Sequence, residues 1–373
     1  MFHVPCSMFH VSCFVNFMFN PHQTILDILE GQLDNERTKD VIMRRFGLAD
    51  GKRQTLEGVG QNYGITRERV RQIESNGLKV LSGPQVIAQL KPAFEMIEEH
   101  LDEHGGLKRE EKLLDDLACV CEVATGRKSS VNSEASPNFS KCQAALYLIL
   151  VLGEPFIREK EDDVLHSLWT MDTKSVVLAK NVIDYLTKYL KKTSRVADFK
   201  ILNEQVKAKE YDLDEKALLT YLDVAKEVDA NKFGEYGLIY WPEISPRGVR
   251  DKAYLILRKY SKPLHFGEIT DLINRNNLDH KTAQVETVHN ELIKDERFIL
   301  IGRGIYALSD WGYEAGTVTD IITGLLKNSG SLSREEILER VLEKRMIKEN
   351  TVLINLQNKK VFAKNDDDRY VLA

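Results

Sequence analysis

Thr66-Arg67-Glu68-Arg69-Val70-Arg71-Gln72-Ile73-Glu74 is the stretch whose reading decides the fold of this chain. Its apolar residues Val70 and Ile73 continue into Leu78 and Leu81 at spacings of three, five and three, close to one helical stripe. Arg67, Glu68, Arg71 and Gln72 fall on the other side in two pairs, each one turn apart. Those residue types suit base edges in a major groove. Arg bridges guanine O6 and N7, Gln bridges adenine N6 and N7, and Glu accepts from cytosine N4. Thr66 stands where an N-cap hydroxyl takes up an orphan N–H.

The residues before this stretch complete a motif. Thr55-Leu56-Glu57-Gly58-Val59-Gly60-Gln61-Asn62-Tyr63 predicts a short amphipathic helix with Leu56, Val59 and Tyr63 on one side. Gly64-Ile65 then turns the chain, since Gly64 can take a positive φ. A helix, a tight glycine turn and a second helix with base-reading side chains near its start make the helix-turn-helix plan. An isolated RERVRQ would be better read as a charged surface helix, so the longer context carries the argument.

From Arg37 through Leu81 the chain resembles region 4 of the sigma-70 family, the part that reads the −35 promoter element. The resemblance rests on Arg44-Arg45-Phe46-Gly47-Leu48, Thr55-Leu56-Glu57, Val59-Gly60 and the run from Thr66 to Glu74. It implies that Arg67, Glu68, Arg71 and Gln72 read bases, and that Lys52, Arg53, Thr55, Arg69 and Lys79 contact phosphates. The chain departs from the family at Gly58, where an acidic residue is usual. It departs again over Ser75-Asn76-Gly77-Leu78-Lys79-Val80-Leu81, where the family has an alanine-rich, more basic helix end. A glycine inside a helix costs about 1 kcal/mol relative to alanine, so a shorter second helix is expected.

Charge supports the assignment. The whole chain carries a net −5, which argues against a generic polyanion binder. Residues 35–82 hold ten Lys/Arg against six Asp/Glu, a net of +4. Residues 83–246 hold 21 against 29, a net of −8, and residues 247–310 hold 11 against nine, a net of +2. The clearly basic segment is the one with the DNA-reading motif, as phosphate neutralisation requires. The acidic middle would be repelled by DNA and suits protein contact. A length of 373 residues with 43% hydrophobic and 29% charged residues implies two or more folded domains rather than disorder.

The five cysteines include no Cys-x-x-Cys pair and read as buried thiols in a reducing cytosol rather than metal ligands. Residues 1–17 lack the basic start of a signal peptide, and their apolar run is too short to cross a membrane. They read as an upstream extension without a fold of its own. No phosphate-binding glycine loop, His-Glu-x-x-His or nucleophile elbow is present in the sequence. The chain therefore reads as a non-enzyme without cofactor or metal, with no small-molecule substrate and no membrane partner.

Beyond Gly83-Pro84, a break, one plan repeats four times at intervals of roughly 60 to 90 residues. Each repeat has a helix, a second helix, a third helix and two short β runs around a polar turn, which is the winged-helix plan. The second helices begin after Gly105-Gly106, Ser194-Arg195, Lys262-Pro263 and Gly330-Ser331. The β runs are 155–157 with 165–169, 226–228 with 238–241, 297–301 with 305–308, and 360–363 with 369–372. A polar stretch from Gly126 to Asn138 reads as a loop.

The third repeat, Val249 to Trp311, is similar to the HARE-HTH domain, a winged helix also found at the N-terminus of the delta subunit of bacterial RNA polymerase. The match lies in Ala253-Tyr254, Pro263-Leu264-His265-Phe266, the helix through Val288 to Leu292, and Gly302-Arg303-Gly304-Ile305-Tyr306-Ala307-Leu308. It implies a nucleic-acid or polymerase contact. Among the wings, the third alone carries an arginine between glycines, and Arg303 is assigned to phosphate. The first wing has Glu159-Lys160-Glu161-Asp162-Asp163. The fourth has Asp366-Asp367-Asp368, which reads as a solvated turn rather than a Mg²⁺ site. His265 reads as a packing or capping residue at a helix start.

The expectation is a mainly α protein, a helix-turn-helix followed by tandem winged helices. Its divisions are 18–83 for the region 4-like unit, 85–172 and 174–243 for two winged-helix-like units, 247–312 for the HARE-HTH unit and 315–373 for the last. The function expected is a cytoplasmic, nucleoid-associated bacterial transcription protein that binds double-stranded DNA and RNA polymerase core. The alternatives are an accessory polymerase subunit with little DNA specificity, or the specificity part of a DNA-modification or restriction system.

Overall fold

The computed structural model describes residues 19–124, 137–279 and 281–373. The upstream extension, Cys6, Cys13 and nearly all of the polar stretch after Gly126 lie outside the described residues. The chain divides into two compact units, Met1–Asp229 and Ala230–Ala373. The architecture is mainly helical with small antiparallel sheets, a helix-turn-helix followed by three-helix units that end in hairpins.

The first unit opens with α1 (Pro21–Gln32) and α2 (Glu36–Phe46). Asn20 and Asn35 cap these helices through their side chains, and Gly47 ends α2 at φ 75°. The helix-turn-helix follows as α3 (Leu56–Tyr63) and α4 (Arg67–Leu81). The expected shortening of α4 does not occur, because the helix runs unbroken through Gly77. Gly77 is buried against α2, where an added Cβ would lie 3.0 Å from Thr38 Cγ2 and 3.3 Å from Ile42 Cδ1. Close helix packing thus offsets the local cost of glycine.

The chain bends at Gly83 and resumes with Pro84 in the first turn of α5 (Pro84–Asp102), where a missing N–H is harmless. β1 (Leu107–Arg109), α6 (Glu110–Ala124), α7 (Pro137–Leu152), β2 (Ile157–Glu159) and β3 (Leu168–Thr170) come next. β3 is the middle strand, flanked by β1 and β2, with Leu107 and Ile157 both opposite Thr170. β1 falls where the sequence pattern shows only the approach to a helix. A three-residue strand is too short to display alternation, and its pairing with β3 is a tertiary event.

One core crosses the Gly83–Pro84 break. Ile25, Ile28 and Leu29 of α1, Ile42 and Phe46 of α2, and Leu81 of α4 share it with residues of α5, α6 and α7 and with Trp169. α7 is apolar around much of its circumference and packs on α1, α2, α5 and α6. Such a helix belongs inside a body, not at its edge. α8 (Thr173–Thr193), β4 (Ala197–Asp198), α9 (Phe199–Ala208) and α10 (Glu215–Val224) complete the unit. α10 packs on β1, and Tyr221 donates its hydroxyl hydrogen to Gly105 O at 3.0 Å. Cys121 and Cys142 are buried in this unit, and Cys119 is half-buried.

Strands β5 (Val228–Ala230) and β6 (Glu235–Leu238) follow, the boundary between the units falling within β5. The second unit then holds two separate cores. The first belongs to α11 (Val249–Tyr260), β7 (Leu264–His265), α12 (Phe266–Arg275), α13 (Val285–Lys294), β8 (Phe298–Gly302) and β9 (Ile305–Leu308). Here β9 is central, with Leu264 opposite Tyr306 and Phe298 opposite Leu308. Arg297 fastens the hairpin to α11 through Asp251 at 2.9 Å. The second core belongs to α14 (Val318–Ser329), α15 (Arg334–Lys344), α16 (Glu349–Leu356), β10 (Phe362–Lys364) and β11 (Tyr370–Leu372). Asn365 closes the final hairpin turn, its Oδ1 accepting from Asp367 N at 3.2 Å and Arg369 N at 2.9 Å. His265 caps α12 through Nδ1, which accepts from Gly267 N at 3.2 Å.

Because Ile256, Ile269, Val288 and Tyr306 bury one another within a single helical unit, a fragment from Ser245 to Gly312 is expected to melt cooperatively when expressed alone. Calorimetry checks this. A broad, non-cooperative transition would mean that the two cores of this unit depend on each other.

Candidate nucleic-acid interface

Helix α4 is held by local chemistry first. Thr55 Oγ1 accepts from Gly58 N at 3.0 Å and caps α3, and Thr66 Oγ1 accepts from Arg69 N at 3.2 Å and caps α4. Gly64 ends α3 at φ 60°, and Ile65 N donates to Gly60 O at 3.0 Å. Gly60 is required by a close approach, since a Cβ there would lie 2.7 Å from Ile65 O. Val41, Val59 and Val70 are fully buried together, with Leu56, Tyr63, Ile65 and Ile73 around them. With Val70 pointing inward, Arg67, Glu68, Arg71 and Gln72 face solvent on α4.

Two ion pairs brace this unit. Arg45 on α2 reaches Glu74 on α4 at 3.0 Å and also donates to Gln54 O in the loop before α3. Arg44 pairs with Asp40 at 2.6 Å, and Tyr63 donates to the same carboxylate. Burial pushes Asp40 up, but Arg44 and Tyr63 outweigh it and hold the carboxyl below its ordinary value. Neither brace was singled out from the sequence as a positioning pair. Arg45 and Glu74 are 29 positions apart, so their contact has no periodic signature.

The exposed side chains form a chain of contacts along the helix. Arg71 grips Glu68 at 2.9 and 2.7 Å, and Gln72 Nε2 lies 3.5 Å from Glu68 Oε1. Arg69 donates to Gln72 Oε1 at 3.1 Å. Arg71 holds the Glu68 carboxyl below its usual range. These pairs are solvent-exposed and weak, so they can be exchanged at small cost.

The expected phosphate contacts divide. Lys52, Thr55, Arg69 and Lys79 are exposed around the helix-turn-helix. Thr55 spends its oxygen on the cap, yet its hydroxyl hydrogen remains a donor. Arg53 is engaged within the protein. Its guanidinium lies 3.8 Å from the centre of the Tyr147 ring and 3.8 Å from Glu110 Oε1. Glu110 also accepts from Arg158 at 3.1 Å and from Trp169 Nε1 at 3.1 Å. Arg53 therefore ties the loop before α3 to the helices behind it while its side chain stays 43% exposed. In the second unit, Arg303 is exposed at the tip of the wing between Gly302 and Gly304, the latter at φ 66°.

A second polar cluster lies in the first unit, and the sequence reading missed it. His100, His104 and Asp116 converge closely enough to resemble a metal site. The Lys108 ammonium occupies the space among them, 3.1 Å from His100 Nε2 and 2.8 Å from His104 Nε2, and it also donates to Asp116. His104 Nδ1 lies 2.6 Å from His100 O, which sets Nδ1 as the donor and leaves the Nε2 lone pair for the ammonium. An internal cation thus fills the place of an ion. The signal was present as His100, His104 and Lys108 at successive intervals of four. Burial pushes His104 down to about 3, and pairing holds Asp116 at about 2 against its own desolvation. Among the described residues, no helix is long and apolar enough to cross a membrane.

Residues 35–82 match the family described as sigma-70, region 4. Those residues contain α2, the helix-turn-helix and its two braces. Over 76 residues the chain is 43% identical to the RNA polymerase sigma factor SigA of Listeria monocytogenes serovar 1/2a. The same figures hold for SigA of Listeria innocua serovar 6a and of a Bacillus species. The aligned segment covers 20% of this chain and 20% of each relative. The chain thus matches these relatives over a fifth of their length, and the likeness concerns the region 4-like segment.

Gly60→Ala is expected to destabilise the turn by about 1–3 kcal/mol through overpacking and to lower DNA affinity with it. A denaturation midpoint and a binding titration on the same sample check this.

Acid should weaken the first unit. His104 resists protonation when folded but not when unfolded, so its contribution is complete above about pH 6.5 and declines as pH falls toward 3. Asp116 contributes above its ordinary value of 3.8 and loses that contribution as pH falls through about 2. The denaturant midpoint is therefore expected to drop between about pH 7 and pH 4, and His104→Gln should flatten that drop. An equal slope in the variant would remove His104 from the account.

Proposed function

We propose that this chain is a DNA-binding transcription protein that recognises promoter-type DNA through α4. The observation that carries the proposal is the exposed set Arg67, Glu68, Arg71 and Gln72 at the start of a side-chain-capped helix after a glycine turn. That set lies in a segment similar to sigma-70 region 4. Arg67 and Arg71 are assigned to guanine, Gln72 to adenine and Glu68 to cytosine, the pairings that their donor and acceptor geometry allows. Lys52, Thr55, Arg69 and Lys79 take phosphates on either side.

RNA polymerase core is the proposed protein partner. The support is the likeness to sigma factors and the net −8 over residues 83–246, which disfavours DNA there. The third helical unit is proposed to be HARE-HTH-like. Its α13 exposes Val285, Glu286, Asn290 and Ile293, with Lys294 at the end. That face is poor in cations, so the unit's DNA share is assigned to Arg303 in the wing. This feature also favours a second reading, in which the unit is a polymerase-contacting accessory module. Both roles place the protein at the nucleoid.

Arg67→Ala and Arg71→Ala are each expected to cost about 1–3 kcal/mol of specific affinity and to relax the preferred base at one position. Selection of binding sites from random duplexes, with wild type and variants, checks this. An unchanged consensus would remove the pair from base reading.

Salt dependence separates the phosphate contacts. Each neutralised phosphate contributes about −0.9 to the slope of log K against log salt. Lys52→Ala and Lys79→Ala in the full chain should each reduce that slope by about one unit, and Arg303→Ala by one unit at most. A large loss at Arg303 and none at Lys52 or Lys79 would transfer the main DNA contact to the wing.

A further inference from the structure

The loop before α3 meets the rest of the first unit at a cluster of two guanidinium groups and one carboxylate. Arg53 lies over the Tyr147 ring of α7, 3.8 Å from its centre, and Arg158 of β2 lies 6.0 Å from the same centre. Both reach Glu110 Oε1 at the start of α6, Arg158 at 3.1 Å and Arg53 at 3.8 Å. The two cations are therefore close neighbours, although they come from segments far apart in sequence.

Glu110 is spent on other donors. Its Oε2 accepts from Trp169 Nε1 at 3.1 Å and from Arg158 Nε, and its Oε1 accepts from Arg158 Nη2. Arg53 stands beyond hydrogen-bond distance of that carboxylate. Among the described residues its guanidinium has the Tyr147 ring and this long ion pair as partners, so its N–H donors remain available. One carboxylate also leaves two cations with an excess of positive charge. The Glu110 side chain is 12% exposed, against 43% for Arg53 and 33% for Arg158, so the cations are the part that solvent meets.

The acids of the nearby hairpin do not cancel this charge. Glu159 follows Arg158 and stands opposite Leu168, so it points to the other face of the strand. Asp162 pairs with Lys180 at 2.7 Å and Glu161 with Lys226 at 2.6 Å. Asp163 lies in the bend between the strands. Arg53 itself sits between Lys52 and Thr55, the residues assigned above to phosphates.

We propose that Arg53 and Arg158 together hold one backbone phosphate of the duplex that α4 reads. The DNA interface then continues beyond the region 4-like segment onto β2, against the net charge of the residues around it. This rests on the assignment of α4 to DNA. A guanidinium laid on an aromatic ring is ordered before the phosphate arrives, and its N–H fork suits phosphate oxygens.

The test uses the full chain and a duplex obtained by binding-site selection, with one backbone phosphate at a time replaced by a neutral methylphosphonate. In the wild type, one position beside the start of α3 should weaken binding about tenfold when neutralised. In Arg158→Gln the same replacement should cost less than about twofold, because the contact is already lost. Arg53→Gln breaks no hydrogen bond within the chain, so it serves as a second variant that leaves the fold intact, and it should become insensitive at the same position. On the unmodified duplex each variant should reduce the slope of log K against log salt by about one unit at most. A purely structural role for the pair would weaken binding while leaving the methylphosphonate pattern of the wild type unchanged, and that result would overturn the proposal. If the wild type selects no duplex, the assignment of α4 fails and this contact with it. If Arg71→Ala loses binding while both variants keep the full wild-type pattern, the contact alone is overturned.

Discussion

Burial of the back of the helix-turn-helix is the constraint on which the rest of the first unit depends. α2, α3 and α4 do not enclose a sufficient core by themselves, since Val41, Val59 and Val70 are their own fully buried centre. Ile42, Phe46 and Leu81 instead enter a larger core with α1, α5, α6 and α7. Fully burying a large aliphatic side chain stabilises by about 1.5–3 kcal/mol, so these few residues contribute much of what fixes the reading helix. The direction of α4 is therefore set by a body of the chain well beyond the segment shared with sigma factors.

Electrostatic braces then refine what the core has placed. Arg45 with Glu74 and Gln54 spans α2, α4 and the intervening loop, and Arg53 with Tyr147 and Glu110 joins that loop to α6 and α7. Both are partly buried, where an ion pair with further hydrogen bonds fixes geometry more than it adds stability. The outward pairs, Arg71 with Glu68 and Arg69 with Gln72, are exposed and exchangeable. The same residue types thus divide by burial into positioning groups behind the helix and exposed, exchangeable groups in front of it.

The second unit shows a related economy. Its two cores are separate, yet the edge of β8 is covered by the extended run through Met346. An exposed strand edge invites unwanted pairing, and covering it here leaves Arg345 buried. The cation of the first unit, Lys108, has acceptors on every side, whereas Arg345 keeps an unmet donor.

Much of this was legible in the order of residues. The caps at Thr55 and Thr66, the glycine turn, the stripe through Val70 and the outward placement of Arg67, Glu68, Arg71 and Gln72 are local features, spaced by the helical repeat. The repeated helices were legible for the same reason, as was the capping role of His265, whereas the β runs expected at 226–228 and 238–241 form instead at Val228–Ala230 and Glu235–Leu238. Tertiary structure decided the rest, because the deciding contacts join residues distant in sequence. The length of α4 depends on Gly77 meeting Thr38 and Ile42. The strands β1 and β7 exist only through their pairing with β3 and β9. Arg53 meets Tyr147 and Glu110 from across the chain, and Lys108 becomes an internal cation only when α6 brings Asp116 to it. Periodicity fixes which face a residue occupies, but only the packed chain determines what meets it there.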